Sequence, residues 1–415
     1  MAPRNILVLS KKKLIDTYFI ISIILFTGAV LTLIGDVLGT ASPQGDPLQR
    51  GVYLLIYVLM LPLLIIEHRF IYKLLISDKL ISLILFISIL SISWSALPLI
   101  TSRRVIALIL TTLFGIIFSR YYNLEGQINI LTIGLGVIVI LCLVFPILFP
   151  DLGIHQTGVH EGRWRGVFVQ KNTMASILVF AVMIFVYKLR SSKKNRLIVS
   201  SLLIMSFSLL ILSWSTTAFI SLVFIYIAVN VFTFYAKLSR RNVIINLAFL
   251  FILVGALTIY LFNNLDFIFG LFGKDVTLSG RIPLWIILFE MIQDKLLLGY
   301  GYEAFWNGQG SPSMRVINQL FWIPNDAHNG YIDIVLSIGI IGFALVVLKV
   351  IELFKNTKSL FNINKNAKYL IVISMIVYVL LLNVTSTSIL VQNSIFWILL
   401  VSLSAGIKNE KLLIS

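Results

Sequence analysis

Apolar residues along this chain come in long unbroken blocks rather than in the two-residue alternation of strands or the one-sided stripe of a soluble helix. A helix that crosses a bilayer needs about 20 mostly apolar residues. Twelve stretches meet that need: 14–34, 51–66, 79–97, 103–119, 127–148, 172–189, 196–213, 217–236, 243–262, 328–351, 368–384 and 389–406. The pattern therefore predicts an all-α polytopic membrane protein of about twelve transmembrane helices, a single integral membrane domain over 1–415. Most connections are short; the exceptions are two on one face, 150–171 and 263–327. Long loops on a rigid scaffold are where function tends to sit. Within the second loop, Ile282–Leu298 is apolar enough to mimic a span, but Glu290, Gln293, Asp294 and Lys295 cut the run short. Pro283 suits a helix start and Gly299 a helix end. That segment reads as an amphipathic or re-entrant helix lying at the membrane surface. No internal repeat or inverted duplication is visible.

Composition agrees with this picture. The chain is 59% hydrophobic and 12% charged with a mean hydropathy of +1.00, beyond the range of soluble domains. The basic run Lys11–Lys13 precedes the first span without a small-residue cleavage site, so that span is expected to serve as its own signal anchor. Cys142, the single cysteine, excludes an internal disulfide. The net charge of +16 is spread over the connections between spans, which argues for a membrane rather than for nucleic acid.

Its distribution sets an orientation. With the N-terminus in the cytoplasm, 23 of the 33 Lys and Arg residues fall on the inner side and 10 outside, which is the sense of the positive-inside rule. Both termini are then cytoplasmic and the 263–327 loop lies outside, between spans 9 and 10.

Seven of the ten outer cations are arginines, and most lie beside Gly, Trp or a span end: TSRR at 101–104, GRWRG at 162–166, SGR at 279–281 and SMR at 313–315. A guanidinium keeps its charge at any working pH and offers a planar fork that fits phosphate oxygens. A headgroup anchor is the bland alternative for a lone arginine. Arg165 and Arg281, each in a glycine-flanked turn that opens toward a helix, favour function, since a helix start adds free N–H groups. Of four histidines, His328 opens the tenth span directly after the long loop. There Asn325 or Asp326 is placed to cap the helix and Asn329 to orient the imidazole; a bystander histidine in a capping cluster is the alternative. Imidazole titrates near neutrality, as a general base must. No DxD, HxH or HExxH pattern is present, so no metal ligand set is expected, nor any cofactor.

Four blocks together resemble the O-antigen ligase/polymerase family. RWRGVFVQKNTMAS at 163–176 resembles its Arg-Gly-x-Phe-x-x-Lys-Asn segment, and LSWSTTAFISL at 212–222 its Ser-rich span start. SGRIPLWIILFEMIQDKLLLGYGYEAF at 279–305 and AHNGYIDIVLSIGIIGF at 327–343 are similar to the two blocks that follow. WSALP with TSRR, at 94–104, is similar to a motif of the exopolysaccharide-polymerase branch. The likeness runs over about residues 90–345 and departs at Thr217, where many relatives carry Arg, and at Ser337, where many carry Glu.

The resemblance implies a glycosyltransferase of the bacterial inner membrane, with the outer loop in the periplasm. It implies metal-independent, inverting transfer of a glycan from undecaprenyl diphosphate to a growing O-antigen or exopolysaccharide chain, or, in a ligase, to lipid A core. By the same resemblance Arg165 and Arg281, with Arg163, Lys171, Arg104 and Arg315 in support, hold the diphosphate. His328 takes the acceptor's proton, assisted by Asn329, Asp326 and Asn172. A flippase and a chain-length regulator are the protein partners it suggests, beside the lipid-linked glycan, the acceptor and membrane lipids. A lipid-linked oligosaccharide flippase, the rival from another class, predicts mid-span charges facing a cavity and related halves.

Overall fold

The computed structural model describes residues 2–40, 46–235, 280–320 and 322–412. The ninth expected span, 243–262, and the first part of the outer loop lie outside these residues. Every element described is helical, apart from one isolated bridge between Ile154 and Trp164. The helices are α1 (Ala2–Phe26), α2 (Leu31–Val37), α3 (Pro47–Ile66), α4 (His68–Ser77), α5 (Lys79–Leu90), α6 (Pro98–Tyr121), α7 (Leu124–Leu148) and α8 (Pro150–Gly153). After them come α9 (Lys171–Ser191), α10 (Arg196–Ser213), α11 (Thr216–Tyr235), α12 (Arg281–Asp294), α13 (Ser313–Ile317), α14 (Gly330–Asn364), α15 (Ala367–Thr385) and α16 (Ile395–Leu412).

Among the described residues eight helices are long and apolar enough to cross a membrane. Two bent pairs, Lys11–Phe26 with Leu31–Val37 and His68–Ser77 with Lys79–Trp94, raise that to ten. The last helix, α16, is the most enclosed, with Ile395–Ile407 buried, but Lys408, Glu410 and Lys411 in its final turns make it too polar to count by composition. Eleven of the twelve expected spans thus correspond to described helices, with shifted ends. The expected span 389–406 begins only at Ile395, because residues 386–394 form a turn between α15 and α16.

Two breaks shape the bundle. Between α4 and α5 the chain bends by 94° at Asp78. The Asp78 carboxylate accepts the Ile81 N–H at 3.3 Å and meets the Lys349 ammonium, while Lys349 also pairs with Glu352 at 2.7 Å. Both Asp78 and Lys349 side chains are out of solvent (0% and 2% exposed), so each is the other's main neutralising partner.

The second break lies inside α14, at Ile338 and Gly339 (φ 67°, ψ −176°). A Cβ on Gly339 would stand 2.1 Å from the Leu297 carbonyl oxygen, so only glycine fits this left-handed position. The segment after α12 fills the gap. Tyr300 N–H donates to Leu336 at 2.7 Å, Gly301 N–H to Ser337 at 3.0 Å, and Ile340 N–H to the Leu296 carbonyl at 2.9 Å. The Ser337 hydroxyl accepts the Glu303 N–H at 3.1 Å. The helix expected at the surface, α12, packs Leu284, Ile287, Leu288 and Met291 inward and leaves Ile286, Phe289 and Glu290 exposed. Apolar residues therefore reach both its packed and its open side.

Replacing Lys349 by Met is expected to strand the Asp78 carboxylate and to destabilise the purified protein by about 3–5 kcal/mol. Adding Asp78→Asn to that variant should restore most of the loss, read as the melting temperature in detergent. The orientation expected from the basic residues is checked on exposed loop positions in a Cys142→Ser background. Gln309→Cys should react with a membrane-impermeant maleimide in spheroplasts and Lys194→Cys should not; the opposite labelling would invert the topology.

Candidate functional site

On the face that carries residues 280–328, an open cleft lies between α1, α9, α11, α12, α15 and α16. Among the described residues its charged lining residues are Arg281 and Asp326, which face a wall of hydroxyls and amides that includes Asn172, Ser176, Ser215 and Thr217. Four helices enter this cleft by their first turns: α9 at Asn172 and Thr173, α11 at Thr217, α12 at Arg281 and α16 at Ile395. Free backbone N–H groups and the positive end of each helix dipole make such a convergence attractive to an anion.

The outer segment sets Arg281, Asp326 and His328. Gly280 turns the chain into α12 with φ 84°, and Trp322 closes over it, its Nε1 3.1 Å from where a Cβ would stand. Trp322 also stacks on the His328 ring, centroids 5.8 Å apart and planes inclined by 20°. Asp326 folds back on His328, accepting its backbone N–H at 2.7 Å, with Nδ1 at 2.9 Å. An ionised carboxylate only accepts, so Nδ1 carries a proton, and in the neutral imidazole the lone pair is then on Nε2. Burial pushes the Asp326 carboxyl up. The His328 hydrogen bonds and the charge of Arg281 outweigh burial and hold the carboxyl below its ordinary value.

Sequence reasoning had these supporting roles in another order. Asn329, expected to orient the imidazole, caps α14 instead, accepting from Tyr331 N–H at 3.0 Å and Ile332 N–H at 3.5 Å. Asp326, expected as a cap, orients the imidazole.

The other expected cations do not line the cleft. Arg165 donates through Nε to the Leu152 carbonyl at 2.9 Å and through one Nη to Val169 at 3.2 Å, closing the 150–170 loop. The Lys171 ammonium is buried and donates to the Ser213 and Trp214 carbonyls at 3.3 and 3.1 Å, at the end of α10. Those unsatisfied carbonyls explain why its charge is drawn inward. Arg163 lies against the His160 ring. Burial first, then Arg165, His160, Lys171 and Arg163, lowers the His155 pKa to about 4, which leaves that imidazole neutral at pH 7. This cluster flanks the cleft through the start of α9, where Ser215 Oγ donates to Asn172 at 3.2 Å. Arg315 is exposed and pairs with Asp294 (2.9 Å) and Glu290 (3.3 Å) across α12. Arg104 donates to the Glu303 carbonyl at 2.6 Å and stands 3.4 Å from its carboxylate. Burial raises the Glu303 pKa, and Arg104 opposes that rise.

The residue that sequence reasoning missed is Asp333. Buried in the first turn of α14, it accepts the Ala327 N–H at 3.2 Å, the Trp306 Nε1–H at 2.7 Å and the Thr387 hydroxyl. It thereby ties the outer segment, the helix that follows His328 and the turn after α15 to one carboxylate. Trp285 Nε1–H adds a bond to the Ala327 carbonyl at 2.8 Å. An acid inside an apolar span was the available signal. Asn383, the sole Asn-x-Thr acceptor, is wholly buried and caps the same turn at Ser388 and Ile389, so its sequon carries no glycan.

The comparisons with known proteins fall on this architecture. Residues 201–347, from within α10 to within α14, match a family described as O-antigen ligase. The chain is also 25% identical over 310 residues to the exopolysaccharide production protein ExoQ of Rhizobium meliloti (strain 1021), covering 72% of this chain and 69% of that protein. The profile match contains Arg281, Asp326, His328 and Asp333, and together the two comparisons support an O-antigen ligase-like family for this chain.

Proposed function

We propose that the chain is a glycosyltransferase that polymerises undecaprenyl-diphosphate-linked oligosaccharide repeats at the periplasmic face of the bacterial inner membrane, with both termini in the cytoplasm. The observation that carries this reading is the Asp326–His328 pair beside Arg281, at a cleft into which four helices point their first turns. Exopolysaccharide production by the relative favours a polymer as product.

In this mechanism Arg281 and the helix N-termini hold the donor's diphosphate, and the Arg163–Arg165 loop adds positive charge beside the start of α9. His328 Nε2 removes the proton from an acceptor hydroxyl as its oxygen attacks the anomeric carbon. The bond from that carbon to the diphosphate oxygen breaks on the opposite face, so configuration inverts and undecaprenyl diphosphate leaves. Asp326 keeps the imidazole in the useful tautomer and stabilises the imidazolium that forms. Positive charge at the leaving oxygens acts more strongly on the transition state than on the ground state. No metal is assigned a role in this scheme. A ligase passing the same donor to lipid A core is the second reading, favoured by the family description.

The test uses the purified protein with lipid-linked repeat units, scoring polymer length and donor binding separately. His328→Ala and Asp326→Asn should each lower turnover by about 10²–10⁴-fold, with donor binding nearly unchanged. The double variant should be little worse than either single one, since the two groups act as a unit. Full turnover in His328→Ala removes the base assignment. Arg281→Lys keeps the charge but loses the planar fork and should weaken donor binding. Product made only when lipid A core is supplied decides for the ligase.

A further inference from the structure

A second polar pocket lies behind one wall of the cleft. Arg50 from the first turn of α3 and Arg103 and Arg104 from α6 line it, together with Gln392 and Asn393 from the turn after α15. The shared wall is thin. Phe26, on the cleft side, stacks flat on Tyr53, on the cavity side, with centroids 5.6 Å apart and planes inclined by 6°. The 386–394 turn completes the wall, with Ser386, Thr387 and Ser388 toward the cleft and Gln392 and Asn393 toward the cavity.

This wall is fastened in place. The buried Tyr302 hydroxyl lies 2.8 Å from Gln392 Oε1 and 2.9 Å from the Leu390 carbonyl, and Thr111 Oγ1 accepts the Asn393 N–H at 2.9 Å. The carboxylate in the lining, Asp46, is buried and caps α3, accepting the Leu48 N–H at 2.8 Å. Of the three guanidinium groups in the lining, Arg104 is held by the Glu303 carbonyl and carboxylate, while Arg50 and Arg103 bring two further positive charges to the same cavity. Arg103 is exposed and makes no ion pair among the described residues. One turn along the same helix faces, Leu54 follows Arg50 and Ile106 follows Arg103, both open to the membrane at 61% and 58% exposure. Cations at the rim with an exposed apolar stripe beneath them match a lipid that has a phosphate head and a long hydrocarbon tail.

We propose that this cavity is a second anion site that takes the diphosphate of the acceptor's polyprenyl lipid, while the cleft holds that of the donor. The proposal rests on the polymerase reading above, because a polymerase joins two lipid-diphosphate substrates. The fixed wall keeps the two diphosphates apart and leaves their glycans to meet above the rim.

The experiment counts undecaprenyl diphosphate, carrying no glycan, bound to the full chain in phosphatidylcholine nanodiscs by native mass spectrometry. Two equivalents per protein are expected. Arg50→Ala with Arg103→Ala should lose one, with affinity down at least ~10-fold as charge-assisted hydrogen bonds disappear. The corresponding double lysine variant retains the charge and should keep part of that binding, which separates ligand loss from misfolding. Arg281→Ala should lose the other equivalent. One equivalent in the native protein, or two in the double alanine variant, overturns the proposal. Displacement of the second equivalent by equimolar phosphatidylglycerol also overturns it, marking an ordinary headgroup site. Two equivalents retained in Arg281→Ala, with one lost in the double alanine variant, would remove the donor assignment and leave this cavity standing.

Discussion

A backbone N–H or C=O left without a partner in hydrocarbon costs on the order of several kcal/mol, and α14 is broken at membrane depth by Ile338 and Gly339. The break survives because segment 296–301 supplies the missing partners from outside the helix. That exchange fixes the outer segment to the bundle. Since His328 lies two residues before the start of α14 and Arg281 at the start of α12, both ends of the candidate site inherit their positions from this docking.

Buried carboxylates extend the same logic. Asp333 gathers N–H and O–H donors from three separate segments. Its burial would be costly without those donors, so the donors must come to it, and the surrounding loops are ordered by that demand. At the opposite end of the bundle Asp78 does the same for Lys349 and the α4–α5 bend. Charge in this protein builds corners where apolar packing cannot specify one.

The arginines divide by what surrounds them. Arg165 and Lys171 lie among carbonyl oxygens at loop and helix ends, and their donors turn inward to meet them. Arg281 stands beside hydroxyls and one carboxylate in an open cleft, so its charge remains directed at the cleft. The cations that the sequence resemblance grouped as one set therefore divide into cleft-facing and loop-closing residues.

How much of this could be read without coordinates follows from the range of each interaction. Span positions depend on local apolar content, and the described helices fall where the apolar blocks of the sequence put them. The Arg281–His328 stretch also stands out in the sequence, since it interrupts an otherwise apolar chain and its blocks resemble a known family. The partition of cations and the roles of Asp326 and Asn329 were not legible, because cap and orienting partner are both short polar side chains near one helix start. Only the backbone turn at His328, with φ at 48°, decides which of them reaches the imidazole. Asp333 and the wall shared by two cavities join residues from 50 to more than 300 positions apart, such as Asp333 with Thr387 and Tyr57 with Asn393. Such contacts have no periodicity or spacing in the sequence; the packing of the helices creates them.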